Sequence, residues 1–272
     1  MRRTMFGVFL GFAVMLLFCG QALADSSVVI KGSTTVLPIA QKAAEVYMKA
    51  HSGVNISVSG GGSGNGIKAI LDGTCQIADS SRFVKGKEVK LACEKGMLLV
   101  PHRVAMDCIV PVVHPGNPLS ELKIDQLAKI YTGEIKNWKE VGGPDKKIVV
   151  ISRDTSSGTY EVWDEKVLNK KRVMPGALLQ ASNGAVAQVV ASTPDAIGYV
   201  GIGYVNKDLK PLKVNGVTAS AATALNGTYP ISRPLFMFTN GWPEGEAMSF
   251  INFILSPDGQ KIVKEEGFVP LY

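Results

Sequence analysis

The chain alternates short β-like runs with helical patterns, and a cluster of small polar residues stands where each of the early strands ends. These clusters are Gly32-Ser33-Thr34-Thr35, the glycine-rich loop at 60–66, and Ser80-Ser81-Arg82. Strands that alternate with helices predict a mostly parallel α/β sheet. Ligands of such sheets bind beyond the carboxyl ends of the strands. We therefore expect the three clusters to meet at one edge of the sheet.

A fourth cluster, at 152–160, has the same chemistry and adds Arg153 to hydroxyls and Gly158. A helical pattern follows from Tyr160. The first turn of a helix offers free N–H groups and a positive dipole end, and both favour anions. Arginine adds a planar fork of donors. The four clusters together predict one enclosed site for a small tetrahedral oxyanion.

The first 24 residues have the pattern of a secretory signal peptide. Arg2 and Arg3 precede the apolar run 5–18, and Ala22-Leu23-Ala24 is a cleavage signal. A lipid anchor on Cys19 is the less favoured alternative, because Phe18 stands where a lipoprotein signal has a small residue. Beyond the signal, no apolar run is long enough to cross a bilayer. We expect a soluble periplasmic protein.

Charge and cysteine content exclude little. The formal net charge is +6, and loss of Arg2 and Arg3 with the signal peptide would leave +4. This excess suits an anionic ligand, although an ordinary basic surface explains it equally well, and the chain lacks the basic runs of nucleic-acid-binding proteins. Cys75, Cys93 and Cys108 allow one disulfide or none. No spacing of His and Cys indicates a metal or another cofactor.

Two long apolar runs, 104–113 and 229–238, are interpreted as strands that cross between two lobes. The first lobe would comprise residues 25–105 and 230–272. The second would comprise residues 106–229. Two lobes joined by two crossing strands make a hinged clamp.

An enzyme is the rival class, but its catalytic groups are hard to find. A serine nucleophile needs a base, and His51, His102 and His114 all lie outside the donor clusters. The Ser-x-x-Lys pattern at 120–123 is interpreted as the start of a helix. The glycine-rich loop lacks the lysine of a P-loop. These features favour a binding protein.

The four clusters and their surroundings resemble the family of periplasmic phosphate-binding proteins of bacterial phosphate ABC importers. The resemblance covers the whole chain after the signal peptide. It implies a two-lobed type II periplasmic binding protein, with each lobe a mixed sheet flanked by helices. It also implies that a monomer captures inorganic phosphate between its lobes and delivers it to a membrane permease.

The same resemblance assigns ligand contacts to three of the clusters: to Ser33, Thr34 and Thr35, to Ser63 of the glycine-rich loop, and to Arg153, Ser157, the Gly158 N–H and Thr159. The chain departs from the family in one respect. Where well-known members have an aspartate after the third strand this chain has Ser81-Arg82, and where they have one two residues after the arginine it has Thr155.

A carboxylate matters because phosphate near neutral pH keeps a proton that sulfate lacks. A buried carboxylate accepts a hydrogen bond from that protonated oxygen, whereas it would meet sulfate with uncompensated charge and no hydrogen bond. Asp107 lies inside an apolar strand and needs a partner, for which the sequence suggests Arg82. A structural Asp107–Arg82 ion pair without ligand contact is the alternative, and Asp79 and Asp154 are weaker candidates. The predicted phosphate-binding set is Ser33, Thr34, Thr35, Ser63, Ser81, Arg82, Asp107, Arg153, Ser157, Gly158, Thr159 and Asn183, the last at the predicted N-cap of a helix.

Other functions stay open at this point. The same fold could bind sulfate, molybdate or tungstate. A secreted hydrolase or transferase acting on phosphate esters is the alternative from a different class. A receptor that signals or scavenges without a transporter is a third.

Overall fold

The computed structural model describes residues 26–272, and the predicted signal peptide lies outside them. Strands and helices alternate along most of this range. In chain order they are β1 Ser26–Gly32, α1 Leu37–Ala50, β2 Val54–Gly60, α2 Ser63–Leu71, β3 Ile77–Ser80, α3 Gly86–Glu94, β4 Leu99–Val113, β5 Glu121–Leu122, α4 Ile124–Thr132, β6 Val149–Arg153, α5 Gly158–Lys166, β7 Leu178–Gln180, α6 Asn183–Ser192, β8 Ala196–Gly201, β9 Lys210–Pro211, β10 Lys213–Val214, α7 Ala221–Leu225, β11 Ser232–Asn240, α8 Gly245–Leu255 and α9 Pro257–Glu265. Short 3-10 helices cover Trp138–Val141 and Ile202–Tyr204.

The main sheet runs in the order β2-β1-β3-β11-β4-β8-β6-β7, with β9 paired to β4. Strands β1, β2 and β3 are parallel, and so are β6, β7 and β8. The central strands β4 and β11 are antiparallel to their neighbours. Strands β3 and β8 are buried along their whole length, as expected for strands covered on both faces. Each half of the sheet is thus mixed, with its parallel strands away from the centre.

Strand β4 passes from one half of the molecule to the other. Its first part pairs with β11 as far as Cys108, and its second part pairs with β8 from Ile109 onward. Strand β11 returns beside it and carries a register shift between Leu235 and Phe236, and such bulges bend a strand. The two central strands therefore connect the halves, and the predicted α/β fold with two crossing strands is confirmed.

Local sequence explains where the helices begin. Pro38 lies in the first turn of α1, where its missing N–H costs nothing. Helix α2 begins at Ser63, so the end of the glycine-rich loop supplies its first turn. The predicted N-cap of α6 was wrong by one residue. Ser182 caps the helix by accepting a hydrogen bond from the N–H of Ala185 at 3.0 Å, which leaves the side chain of Asn183 free to reach elsewhere.

The three cysteines that the structure describes are free thiols. Among residues 26–272, Cys75 and Cys108 are buried, Cys93 is exposed, and none forms a disulfide. Within the same residues, every helix is too short or too polar to span a membrane.

Candidate anion-binding site

The predicted clusters converge between the two halves of the sheet, and their side chains are buried there. Thr34 and Thr35 follow β1 at the start of α1, whereas Arg153 ends β6 and Thr159 lies in the first turn of α5. The hydroxyl oxygens of Thr35 and Thr159 lie 3.0 Å apart, although 124 residues separate them in sequence. The first lobe, which holds β1, and the second, which holds β6, are therefore closed on one another at this point.

Asn183 reaches both threonines of the first lobe. Its Nδ2 donates to Thr34 Oγ1 at 3.1 Å and to Thr35 Oγ1 at 3.0 Å. Its Oδ1 accepts from the N–H of Gly201 at the end of β8. The amide is fully buried and satisfied on both sides, so it holds the two hydroxyls in a fixed direction.

Arg153 is held so that one of its donors has nothing to bind. Its Nε donates to Gln180 O at 2.9 Å, and its Nη2 donates to Ala181 O and Thr34 Oγ1 at 3.0 and 3.3 Å. Its Nη1 has no hydrogen-bond partner among the described residues, although Arg153 is only 1% exposed. Burial lowers the pKa of this guanidinium. An unpaired buried cationic donor is costly, and an anion at Nη1 would remove that cost.

Aromatic rings fix the strand that carries Arg153. The backbone N–H of Arg153 donates to the hydroxyl of Tyr199 at 3.2 Å, and that hydroxyl also lies 3.0 Å from Ser152 Oγ. The ring of Trp163 stacks on Tyr199 with centroids 4.3 Å apart. Stacking of this kind is worth about 0.5–1.5 kcal/mol beyond area burial, and here it stiffens the floor of the site.

A second buried arginine, Arg233, faces the same point and was not predicted from the sequence. Its Nη2 donates to Thr35 Oγ1 at 3.2 Å and to Thr159 Oγ1 at 3.0 Å. Its Nε and Nη2 also donate to Asp107 Oδ2 at 2.9 and 2.8 Å, and its Nη1 lacks a partner within residues 26–272. The available signal was an arginine inside the apolar run of β11, which is the same signal that identified Asp107.

Asp107 is fully buried beside Arg233, and this corrects the sequence prediction that Arg82 would be its partner. Asp107 Oδ1 accepts from the N–H of Ile202 at 2.9 Å. Burial raises the pKa of Asp107, against the opposing charge of Arg233, and burial likewise lowers the pKa of Arg233. Asp107 thus accepts from one backbone N–H and from two guanidinium nitrogens.

Arg82 belongs instead to a separate ion cluster. Its Nη1 and Nη2 donate to the two carboxylate oxygens of Glu88 at 2.8 and 2.7 Å. Its Nε lies 2.6 Å from a carboxylate oxygen of Glu161. The Asp107–Arg82 ion pair is therefore wrong, because both side chains have other partners.

The remaining hydroxyls lie where the lobes touch. Ser63 Oγ accepts from the N–H of Ser81 at 3.0 Å and lies 3.3 Å from Ser81 Oγ. A Cβ atom built on Gly158 would come within 2.3 Å of Ser63 Oγ and 2.7 Å of Ser81 Oγ. Two other predicted hydroxyls cap local turns: Ser157 Oγ accepts from the N–H of Tyr160 at the start of α5, and Ser33 Oγ accepts from the N–H of Thr35.

The two weaker carboxylate candidates differ. Asp154 Oδ1 accepts from the N–H of Ser156 at 2.8 Å, which closes the turn before α5. Asp79 is buried, and neither of its oxygens has a hydrogen-bond partner in the described part of the chain. Burial raises the pKa of Asp79 well above its ordinary value.

The site gathers hydrogen-bond donors suited to an anion. Two buried guanidinium groups, three threonine hydroxyls and an amide lie together, and a carboxylate backs one of the guanidinium groups. The histidines make local contacts elsewhere: His51 stacks on Tyr47, His102 meets Thr239, and His114 accepts from the N–H of Gly116. Residues 26–272 contain no group of three or more His, Cys, Asp or Glu residues that could hold a metal ion.

Comparisons with known proteins agree with this geometry. Residues 20–258 match a family model described as a PBP superfamily domain. The chain is 35% identical over 254 residues to the phosphate-binding protein PstS of Bacillus subtilis, covering 93% of this chain and 83% of that protein. It is 32% identical over 281 residues to the phosphate-binding protein PstS of Borreliella burgdorferi, covering 99% of each.

Solved structures of phosphate-binding proteins are also similar to this chain. A proposed phosphate ABC transporter substrate-binding protein of Clostridium perfringens, with bound phosphate, is 35% identical and superposes with a TM-score of 0.85 over 91% of this chain and 100% of that chain. An ABC-type phosphate transport receptor of Vibrio cholerae is 31% identical with a TM-score of 0.73, over 89% of this chain and 99% of that one.

Proposed function

The chain belongs to the PBP superfamily and, within it, to the family of phosphate-binding proteins PstS, and from this premise we propose that it captures inorganic phosphate between its lobes for an ABC-type permease. The observation that carries the proposal is the meeting of Thr35 and Thr159, from opposite lobes, at the guanidinium of Arg233. Within residues 26–272, the Nη1 atoms of Arg153 and Arg233 are buried cationic donors without a hydrogen-bond partner. A dianion is the ligand that such donors require.

The proposed phosphate contacts are the hydroxyls of the first lobe, the guanidinium groups and the start of α5. The hydroxyl and backbone N–H groups around Thr34 and Thr35 face those of Ser157, Gly158 and Thr159. A charge-assisted hydrogen bond contributes ~1.5–3 kcal/mol net, whereas micromolar affinity needs only about 8 kcal/mol. A handful of such bonds therefore suffices even after the costs of desolvation and closure. Arg82, although part of the predicted set, is left out because two carboxylates occupy it.

Asp107 is the proposed acceptor for the proton of phosphate. Arg233 opposes the rise in its pKa that burial causes, and two hydrogen bonds from Arg233 fix its direction. Sulfate has no proton to offer and would meet the carboxylate only as a like charge. This arrangement favours phosphate over sulfate, molybdate and tungstate.

We propose that residues 25–105 with 230–272 move as one lobe and residues 106–229 as the other. One apolar core comprises residues from Cys108 to Ile231 together with Val269, and two more lie in the first half of the sheet and its helices. Strand β4 leaves one core and enters the other between Ala105 and Cys108. Strand β11 does so beside its bulge. Closure about these strands would enclose phosphate, and opening would release it.

The protein would act as a monomeric extracytoplasmic receptor without enzymatic activity. Isothermal titration of phosphate, with sulfate, molybdate and tungstate as competitors, tests the ligand. The expected result is one phosphate per chain, not displaced by the other three anions. Tighter binding of any competitor would overturn the assignment of the ligand, and metal-independent turnover of a generic phosphate ester would overturn the assignment as a binding protein.

A further inference from the structure

A cluster of charged residues joins the two lobes outside the proposed phosphate site. The carboxylate of Glu161, on α5 of the second lobe, lies between two cations that follow β3 in the first lobe. Its Oε2 is 2.6 Å from Arg82 Nε and 2.7 Å from Lys85 Nζ. The side chains of Arg82 and Glu161 are only 6% and 13% exposed. We call these three residues the inter-lobe ion cluster.

Arg82 is held in place by its own lobe. Glu88 binds both of its terminal nitrogens, and the carbonyl of Phe83 accepts from Nη1 at 2.9 Å. Glu88 also accepts from the backbone N–H of Lys85 at 2.8 Å. All these contacts lie within the segment 82–88, so they do not depend on whether the lobes are open or closed. Arg82 and Lys85 therefore form a preset cationic seat.

Glu161 is the member that leaves the inter-lobe ion cluster when the lobes part. The N–H of Arg82 does not point along the 2.6 Å contact, so this is a charge pair rather than a well-directed hydrogen bond. Low exposure reduces screening by solvent and salt, which makes such a pair stronger than a surface ion pair. A contact made only in one of two conformations shifts the equilibrium toward that conformation.

We infer that Glu161 is a positioning residue that stabilises the closed form through Arg82 and Lys85 and thereby slows the release of phosphate. The inference rests on the proposed function, because it assigns a role in binding to residues that do not contact the ligand. The inference also explains why the carboxylate of Glu161 is tolerated beside an anion site. Arg82 and Lys85 of the opposite lobe neutralise its charge when the lobes are closed.

The sign of the effect separates this role from simple electrostatics. Glu161 is a negative charge near a site for a dianion, so long-range repulsion alone predicts that its removal strengthens phosphate binding. Stabilisation of the closed form predicts the opposite. A decrease in affinity on removal of a negative charge therefore requires the contact with Arg82 and Lys85.

The test compares Glu161→Gln with Glu165→Gln, which makes the same chemical change at an exposed position on the same helix. Phosphate affinity is measured by titration calorimetry and phosphate release by stopped-flow fluorescence. We expect Glu161→Gln to weaken affinity about tenfold, within the usual range for coupling between sites. The loss should appear mainly as faster dissociation, whereas Glu165→Gln should match the wild type within about twofold.

A shorter acid provides the second variant. Glu161→Asp keeps the charge but withdraws it from the cationic seat, so we expect weaker binding and faster release here too, whereas an effect of charge alone predicts wild-type values. Glu161 variants that fold, as judged by thermal unfolding, and bind phosphate as tightly as the wild type or more tightly would overturn the inference. Failure of the wild type itself to bind phosphate would instead overturn the proposed function.

Discussion

Asp107 and Arg233 are direct partners on the two strands that cross between the lobes, with their charged atoms 2.8 and 2.9 Å apart. The same guanidinium donates to Thr35 of one lobe and Thr159 of the other. One ion pair thus ties the connecting strands to the point where the lobes meet. A ligand bound at this point would interact with the carboxylate of Asp107 and with residues of both lobes.

Replacing Asp107 by asparagine removes the charge but keeps the shape. Because the amide no longer repels a fully ionised anion, and no longer offers an ionised acceptor to the phosphate proton, we expect the preference for phosphate over sulfate to fall by roughly a hundredfold. Competition calorimetry measures the ratio. Asp79→Asn is the matched control, since it makes the same change at another buried acid, and its ratio should stay at the wild-type value. An unchanged ratio in Asp107→Asn would place the acceptor elsewhere.

Removal of the Arg153 side chain should weaken phosphate binding severely. The buried anion would lose a charged partner, and truncating one member of a buried charge pair costs about 2–5 kcal/mol. This corresponds to at least about thirtyfold in affinity. Arg103→Ala, at an exposed position on β4, removes the same charge and should change the affinity little. Calorimetry on both variants decides, and equal affinities would refute the role given to Arg153.

A methyl group on Gly158 should prevent full closure. Its Cβ would lie 2.3 Å from Ser63 Oγ and 2.9 Å from Ser63 Cβ on the opposite lobe, distances at which the serine or the lobe that carries it must shift. We expect Gly158→Ala to bind phosphate at least about tenfold more weakly. Its radius of gyration in saturating phosphate, measured by small-angle X-ray scattering, should exceed that of the wild type. Gly86→Ala, where an added Cβ meets only open space, should close normally, and normal closure of both variants would contradict the tight contact.

Asp79 should make the protein less stable as pH rises. Its folded pKa is raised well above the ordinary value by burial, whereas the unfolded chain has a pKa near 3.9. The stability from this group is therefore complete below about pH 4 and is lost as pH rises toward the folded pKa, because folding then requires the chain to take up a proton. Asp79→Asn removes this dependence. The unfolding free energy of the variant minus that of the wild type should therefore increase with pH, by up to about 1.4 kcal/mol per pH unit.

Urea unfolding at several pH values from 4 to 8 measures that difference. Asp208→Asn, at an exposed acid, provides the control and should show a flat difference. If the difference in unfolding free energy between Asp79→Asn and the wild type also stays constant with pH, the pKa of Asp79 in the folded protein is not raised, and the prediction is wrong.

The sequence predicts those parts of the candidate site that depend on local signals. Thr34, Thr35, Ser63, Arg153 and Thr159 stand at strand-to-helix junctions, and a junction is visible in a short window because the turn chemistry and the helix start lie side by side. Parallel strands then bring such junctions together without further information.

Contacts between strands that are distant in sequence could not be predicted from such local signals. Arg233 lies 126 residues from Asp107, and only the register of β4 against β11 makes them neighbours. Arg82 was assigned to Asp107 because both looked like buried charges in need of a partner. The nearer acid, Glu88, and the opposite helix, which carries Glu161, satisfied Arg82 instead.

The N-cap of α6 shows a limit of a different kind. Ser182 and Asn183 are both favoured cap residues, so the sequence alone could not choose between them. The choice matters, because it frees the Asn183 amide to bind the two threonines of the other lobe.

A crystal structure of the protein grown with phosphate and without sulfate would examine the site itself. We predict tetrahedral density within hydrogen-bond distance of Thr35, Thr159, Arg153 and Arg233, with one phosphate oxygen in contact with the Asp107 carboxylate. Phosphate bound elsewhere, or a closed protein whose Arg153 and Arg233 Nη1 atoms contact only solvent, would contradict the account.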